Sequence, residues 1–581
     1  MAWDLSTLQE RMRARLAFLY GAREAGAAWE AIAKRVAAFR DRHPEWLEQA
    51  PGLYADHTDV LLITYGDQIR TPGEAPLRTL KAFMDAHLKD RVSGLHLLPH
   101  YPYSSDDGFS VIDYRRVNPE LGTWADVEAL ARAYRLMLDA VINHISAQSP
   151  WFQAYRRGEA PYVHYFIELD PGTDTSTVYR PREHPLLTPF ETTRGTRYVW
   201  TTFSTDQVDL NYKNPAVLVE VLDVLLEYAA HGADLLRLDA VGLLWKELGT
   251  SCLHLPQTHA VVKLIRDLLN ATAPHVMLVP EINGPFEENL PYLGDGYDEA
   301  QMIYNFTLPP LVLHAFYTGE ATRLARWLEG VQLPSNQTAF FNFLASHDGI
   351  GVRPVEPLLP PEEFQLLIER TLEHGGRVNY RRGPDGERRP YELCITYYDA
   401  LTAPDESLDT GVARFRAAHA ILLALAGVPG VYVHSLFGTP NWHEGYARTR
   451  QGRTLNRRKF TRAELEAALA RPEGRFARVF HEITRLLEAR RAEPAFHPTA
   501  LQRVLHLHPN VLALERTARA GYRLYALVNV SAHPVALSLE GLRGGEVREV
   551  LTGTRYPIRE GRLEVRLEPY GVRWLRELGT L

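Results

Sequence analysis

The sequence predicts an α/β fold, a (β/α)8 TIM barrel followed by a C-terminal antiparallel β domain, and three observations predict it. ADLLRLDAVG, HVMLVPEING and FNFLASHDGIG each end an apolar run on a carboxylate, at Asp239, Glu281 and Asp348. Their spacing is that of successive strand and helix units, which sets the carboxylates around one rim of a parallel barrel. From about Pro498 the pattern changes to short alternating strands, YRLYALVNVS and RLEVRLEP, with glycine turns between them.

Residues 1–55 come first and carry helical spacing in LQERMRARLAFLYG and WEAIAKRVAAFRDR, so a helical extension precedes the barrel. The barrel spans 56–497. VLLITYG begins its first strand near Val60, RVSGLHLLPHYP supplies the second near Leu95, and LMLDAVIN the third. A long polar, aromatic and proline-rich stretch then runs to about Asn211, too long for an ordinary connection. After Asp348 a second excursion, 350–401, carries PLLPPEEF and the basic loop RVNYRRGPDGERRPYE. AILLALAGVPGVYV reads as a helix running into the last strand, and 498–581 form the β domain.

The chain has 581 residues, 45% hydrophobic and 23% charged, enough for a barrel with smaller domains attached. A net charge of -7 without long basic runs argues against a nucleic-acid partner. No apolar run is long enough to span a bilayer, and the charged start MAWDLSTLQERMRARLAF lacks a signal-peptide core, so a cytoplasmic location is expected. Cys252 and Cys394 are too few for a disulfide framework and lack metal-ligand spacing.

Arg237 and Asp239 stand two apart at a strand end, so both side chains point to one side of the sheet. An arginine there is expected to keep Asp239 ionised. Retaining glycosidases need such a nucleophile and a carboxylic acid facing it across the sugar bond. One RxD alone is more often a structural ion pair; several motifs in order carry more weight.

In LMLDAVINHIS (Asp139, Asn143, His144), LLRLDAVG, LVPEI and LASHDG (His347, Asp348), taken in this order, the chain resembles the α-amylase superfamily, glycoside hydrolase family thirteen. The resemblance implies Asp239 as nucleophile, Glu281 as general acid/base and Asp348 as the carboxylate that grips sugar hydroxyls. It also implies that His144, His347 and Arg237 orient the glucosyl unit, and that the excursion 146–212 is a small inserted domain, with 350–401 a second insertion.

DDGFSVIDY, YRPR, TRYVWTTFSTDQVDL, LDAVGLLWKELGTSC, SHDGIGV, YELCITYYDAL and GRTLNRR resemble the sucrose phosphorylase subgroup. By that resemblance Arg182 and Tyr391 belong to the phosphate and leaving-group site, Asp106 and Arg457 close the far end of the glucose pocket, and Phe109 forms its aromatic wall. Leu243 and Glu392 depart from the subgroup, which has tyrosine and glutamine there, so the leaving-group side is rebuilt. Arg377, Arg381, Arg382, Arg388 and Arg389 crowd the second excursion, and Arg381 and Arg382 are expected to face an anionic acceptor.

The expected activity is therefore a retaining α-glucoside phosphorylase using inorganic phosphate, with 2-O-α-D-glucosylglycerate as the first substrate. Sucrose 6′-phosphate, sucrose or glucosylglycerol are the alternatives. A hydrolase or transglucosylase of the same fold, or a non-catalytic binding subunit, are readings of other classes. No cofactor and no metal are expected, and the sequence does not give the oligomeric state.

Overall fold

A computed structural model of the chain describes residues 4–383 and 385–578. Its centre is an eight-stranded parallel sheet of β1 (Leu61–Thr64), β2 (Gly94–Leu97), β3 (Arg135–Ala140), β4 (Ala233–Leu238), β5 (Met277–Pro280), β6 (Met302–Tyr304), β7 (Ala339–Phe343) and β8 (Val428–Tyr432). The hydrogen-bonded order is 5-4-3-2-1-8-7-6, with Leu61 of β1 paired to Gly94 on one side and Gly430 on the other. That is the cyclic order of a (β/α)8 barrel. Its strands are buried along their length because helices cover one face and packed side chains fill the other. Gly94 is required by this packing: a Cβ there would lie 2.2 Å from the Leu61 side chain and 2.8 Å from the Arg135 carbonyl oxygen.

No ladder among the described residues joins β5 to β6. Instead the Leu278 amide of β5 donates to the Gln301 side-chain oxygen at 3.0 Å, next to β6, and Arg266 donates to the same oxygen at 2.9 Å. The short strand β6 carries no strand-length apolar run and escapes sequence reading.

The outer helices include α1 (Leu5–Arg42), α2 (Pro76–His87), α3 (Trp124–Ala131), α4 (Pro215–Ala230), α5 (Pro256–Thr272), α6 (Leu308–Thr318), α7 (Leu408–Ala424) and α8 (Arg475–Arg491). Helix α1 buries Leu8, Met12, Leu16, Leu19, Ile32, Val36 and Phe39 at helical spacing. It bends at Gly21, whose φ of 72° suits only glycine well. It lies along α4 and α5, with Arg11 and Arg15 both bound to Asp267, at 2.9 and 2.7 Å, and Arg35 to Asp223.

After β3 the chain leaves the barrel and forms an antiparallel hairpin, Leu187–Thr192 with Gly195–Trp200, and returns where His144–Ser146 pairs with Gln207–Asp209. After β7 a second hairpin, Arg377–Arg382 with Arg388–Cys394, lies beside Ile350–Gly351.

The C-terminal part holds β9 (Leu501–His508), β10 (Val511–Thr517), β11 (Arg523–Asn529), β12 (Val535–Leu539), β13 (Glu546–Glu549), β14 (Arg555–Pro557), β15 (Leu563–Leu567) and β16 (Val572–Leu578). A six-stranded antiparallel sheet in the order 9-10-11-16-13-14 and the pair β12–β15 enclose a separate apolar core around Leu527, Leu537, Leu567 and Leu575. Cys252 and Cys394 are buried free thiols. No helix among the described residues is long and apolar enough to cross a membrane.

Candidate active site

The C-terminal ends of the barrel strands surround a cavity of about 740 Å³. Asp239 lines it at the end of β4, Glu281 at the end of β5, and His347 and Asp348 after β7. The loop after β2 contributes Asp106 and Phe109, the excursion after β3 contributes Arg182 and Phe203, and the second hairpin contributes Tyr391 and Glu392.

Arg237 is the electrostatic centre. Fully buried, it donates through Nη1 to Asp139 and, at 2.9 Å, to Asp239; its Nη2 lies 3.9 Å from Glu281. Asp139 also takes a 2.8 Å bond from His96. Burial opposes the Asp139 charge, yet Arg237 and His96 together hold its pKa down to about 2. One guanidinium therefore serves three carboxylates, and the most buried of them takes the shortest bond.

This corrects one expectation. Arg237 does bond Asp239, but burial pushes both Asp239 and Glu281 up to about 7, with the Asp139 and Asp348 charges adding to the rise at Asp239 and the Asp239 and Asp348 charges to that at Glu281. The arginine lowers each without cancelling the desolvation and the repulsion from neighbouring carboxylates. The Ala240 amide donates to Glu281 at 3.0 Å. Both carboxyls therefore hold a proton to higher pH than an ordinary carboxylate does.

At the far end Arg457 is fully buried, 2.8 Å from Asp107 and 3.4 Å from Asp106, and donates to the His347 carbonyl oxygen at 2.8 Å. Phe109 stacks flat on His347, with centroids 4.8 Å apart, and the Phe109 carbonyl oxygen sits 2.9 Å from His144 Nε2. Arg237 lies over the Phe109 ring at 5.6 Å. The expected partner of Arg457 was Asp106; Asp107 makes the closer contact, from a left-handed backbone at φ 49°.

On the open side Asp348 bonds Arg453 at 2.8 Å, and Arg453 reaches Glu392 at 2.5 and 3.1 Å. Burial opposes the Asp348 charge, but Arg453, Arg237 and Arg457 keep its pKa below the usual value. Arg182 packs over Tyr391 at 5.4 Å and Phe203 at 5.7 Å, with no carboxylate partner among the described residues. Leu243 and Glu392, the two departures noted in the sequence, both line the cavity.

The remaining loop arginines do not. Buried Arg381 is held by Glu356 at 2.9 and 3.0 Å, exposed Arg382 points off the cavity lining, Arg388 pairs with Glu183 at 2.7 Å, Arg389 pairs with Asp385, and Arg377 lies over Tyr446. Carboxylates on other segments meet Arg381 and Arg388, and one within the loop meets Arg389. The cavity's other cations are Arg453 and Arg353, the latter bound to Glu288 at 2.7 Å and stacked over Tyr179 at 5.3 Å. Sequence reasoning missed Arg353, Asn283, His254 and Tyr179, which come from separate loops. Arg453 was visible only as part of GRTLNRR.

Residues 88–350 match the model of the alpha amylase catalytic domain, and 502–574 that of the maltogenic amylase C-terminal domain. A glucosylglycerate phosphorylase of Allomeiothermus silvanus is 52% identical over 92% of this chain and 95% of its own. The chain belongs to the α-amylase superfamily. Within it, a glucosylglycerate phosphorylase of Spirochaeta thermophila is 44% identical over 97% of this chain and 98% of its own. The crystal structure of a sucrose 6F-phosphate phosphorylase from Thermoanaerobacter thermosaccharolyticum superposes with a TM-score of 0.73 at 24% identity, over 88% of this chain and 98% of that one.

Proposed function

We propose that this α-amylase superfamily member is a retaining phosphorylase that converts 2-O-α-D-glucosylglycerate and inorganic phosphate to α-D-glucose 1-phosphate and glycerate. The observation that carries the reading is Arg182, a guanidinium without a carboxylate partner among the described residues, facing the cavity that holds Asp239 and Glu281. A half-buried arginine without a carboxylate partner among the described residues supports an anion, whether phosphate or the glycerate carboxylate, by charge-assisted hydrogen bonds. The two relatives carrying that activity in their names support the choice of acceptor.

Of the two carboxyls, Glu281 is the one that carries the proton. Asp239 receives a direct bond from the Arg237 guanidinium, which favours its anion, whereas Glu281 lies 3.9 Å from that cation. Glu281 gives its proton to the leaving glycerate oxygen as Asp239 attacks the anomeric carbon; the glycosidic C–O bond breaks and an ester to Asp239 forms. Phosphate, held by Arg182 with Tyr391, then attacks from the opposite face, passes a proton to Glu281 and releases Asp239. Two inversions retain the α configuration. The paired charges of Arg457, Asp106 and Asp107 close the glucose end, so one neutral sugar unit fits and a chain does not. Phosphorolysis keeps the glucose phosphorylated, which fits an enzyme working in the cytoplasm.

The test is release of α-glucose 1-phosphate from glucosylglycerate, sucrose 6′-phosphate, sucrose and glucosylglycerol, with and without phosphate. Phosphate-dependent release fastest from glucosylglycerate is expected. Glucose release independent of phosphate would make the protein a hydrolase and remove the role given to Arg182.

A further inference from the structure

The nucleophile-bearing strand β4 is followed at once by a strained turn. Ala240 sits in the left-handed region, at φ 47° and ψ 32°, a conformation unfavourable for a non-glycine residue. Its amide bonds Glu281, so the turn links the two central carboxyls. Such a conformation persists only where the surroundings hold both of its flanks. Strand β4 holds one flank. The other is anchored at Trp245 and Lys246.

Lys246 is buried, and its ammonium gathers oxygens from three segments: Asn143 at 2.7 Å, Asp209 at 2.8 Å and the Leu243 carbonyl. Trp245 is buried too, tied through its amide to Thr258 at 3.3 Å, and its ring meets Tyr20 of helix α1 at 6.1 Å. The Tyr20 hydroxyl donates to the Tyr212 carbonyl oxygen at 3.0 Å, and the Tyr212 hydroxyl to that of Ile142 at 2.7 Å, beside Asn143. Tyr20 stands next to the bend at Gly21, so the bend seats this ring against the anchor.

We infer that helix α1 is a working part of the pocket, with Tyr20 a positioning residue that holds the Trp245–Lys246 anchor and, through it, the turn behind Asp239. This rests on the reading of Asp239 as the reacting carboxylate. Without the Tyr20 ring, Trp245 gains room, the turn relaxes toward ordinary backbone, and the Ala240 amide leaves Glu281. Misplacement of this kind slows the chemical step more than it weakens binding.

The experiment compares full-length Tyr20→Ala, Tyr20→Phe and Val36→Ala with the wild type. Val36 is buried on the same helix, so its truncation thins packing of α1 without touching the anchor. Melting temperature, kcat and KM for the α-glucoside are measured well below the melting transition. Tyr20→Ala is expected to lower kcat about tenfold with a smaller change in KM. Tyr20→Phe, which keeps the ring, restores most of the rate, and Val36→Ala lowers the melting temperature while keeping kcat.

If Tyr20→Ala and Val36→Ala both lose stability and both keep kcat, α1 is packing alone and the inference is wrong. Where Tyr20→Ala does not fold, Tyr20→Leu, which retains most of the volume, carries the same comparison. A wild-type enzyme that forms no glucose 1-phosphate would sink the phosphorylase reading instead; the ratio between variants can then be followed on glucose release.

Discussion

The two ends of the cavity handle charge in opposite ways. At the closed end every cation is answered: Arg457 by Asp106 and Asp107, Arg237 by Asp139 and Asp239. At the open end Arg453 and Arg353 are answered by Glu392 and Glu288, while Arg182 meets two aromatic rings and, among the described residues, pairs with no carboxylate. Compensated charge offers directional hydrogen bonds to a neutral sugar without attracting ions. An uncompensated guanidinium attracts an anion from water, and the position of that one cation, more than the number of arginines nearby, distinguishes the two ends.

The largest way to break this contrast is at the closed end. Asp239→Asn should lower kcat on the order of 10⁴-fold or more, because the ester to the enzyme cannot form. Turnover near the wild-type rate would remove Asp239 from its role. At the open end Arg182→Ala should raise KM for phosphate about thirtyfold, the loss of one charge-assisted contact, while the closed end still binds glucose. Unchanged saturation by phosphate would move the anion site elsewhere.

A third test reads the closed end through stability. Burial raises Glu281 to about 7 from an ordinary 4.5, so the folded state prefers its protonated form. Stability from that preference is complete below the ordinary carboxylate pKa and is lost as pH climbs toward 7. Glu281→Gln, a neutral mimic, should therefore stabilise the protein by about 2–3 kcal/mol at pH 8 and leave it unchanged near pH 4. Denaturant melts at the two values check the sign; equal effects at both would mean that the carboxyl titrates normally. The smallest effect is expected at Arg381→Ala, about 1 kcal/mol of stability through the lost Glu356 pair, with KM for glycerate intact. A large rise in that KM would return Arg381 to the acceptor site.

The contrast also marks what the sequence reveals. The barrel and its three carboxylates are legible because each sits at the end of an apolar run, where strand periodicity alone tells which way the rim faces. Phe109, His144 and Arg457 are legible by resemblance. The arginine hairpin is misread because charge density is local in sequence, whereas the partners that turn Arg381 and Arg388 away from an acceptor, Glu356 and Glu183, lie on other segments. Arg353 and His254 are missed for the same reason in reverse: nothing near them in the chain announces that Glu288 joins them at one wall. The raised pKa of Asp239 and Glu281 escapes as well, since the burial and the division of Arg237 among three carboxylates exist only once β3, β4 and β5 are side by side.

The open seam of the barrel bears on the acid itself. Glu281 ends β5, a stave laddered to β4 on one edge and clasped on the other by the side chain of Gln301. The carboxyl proposed as the acid thus rides on a stave hooped along one edge, and across the seam the amide oxygen of Gln301 stands in for a ladder.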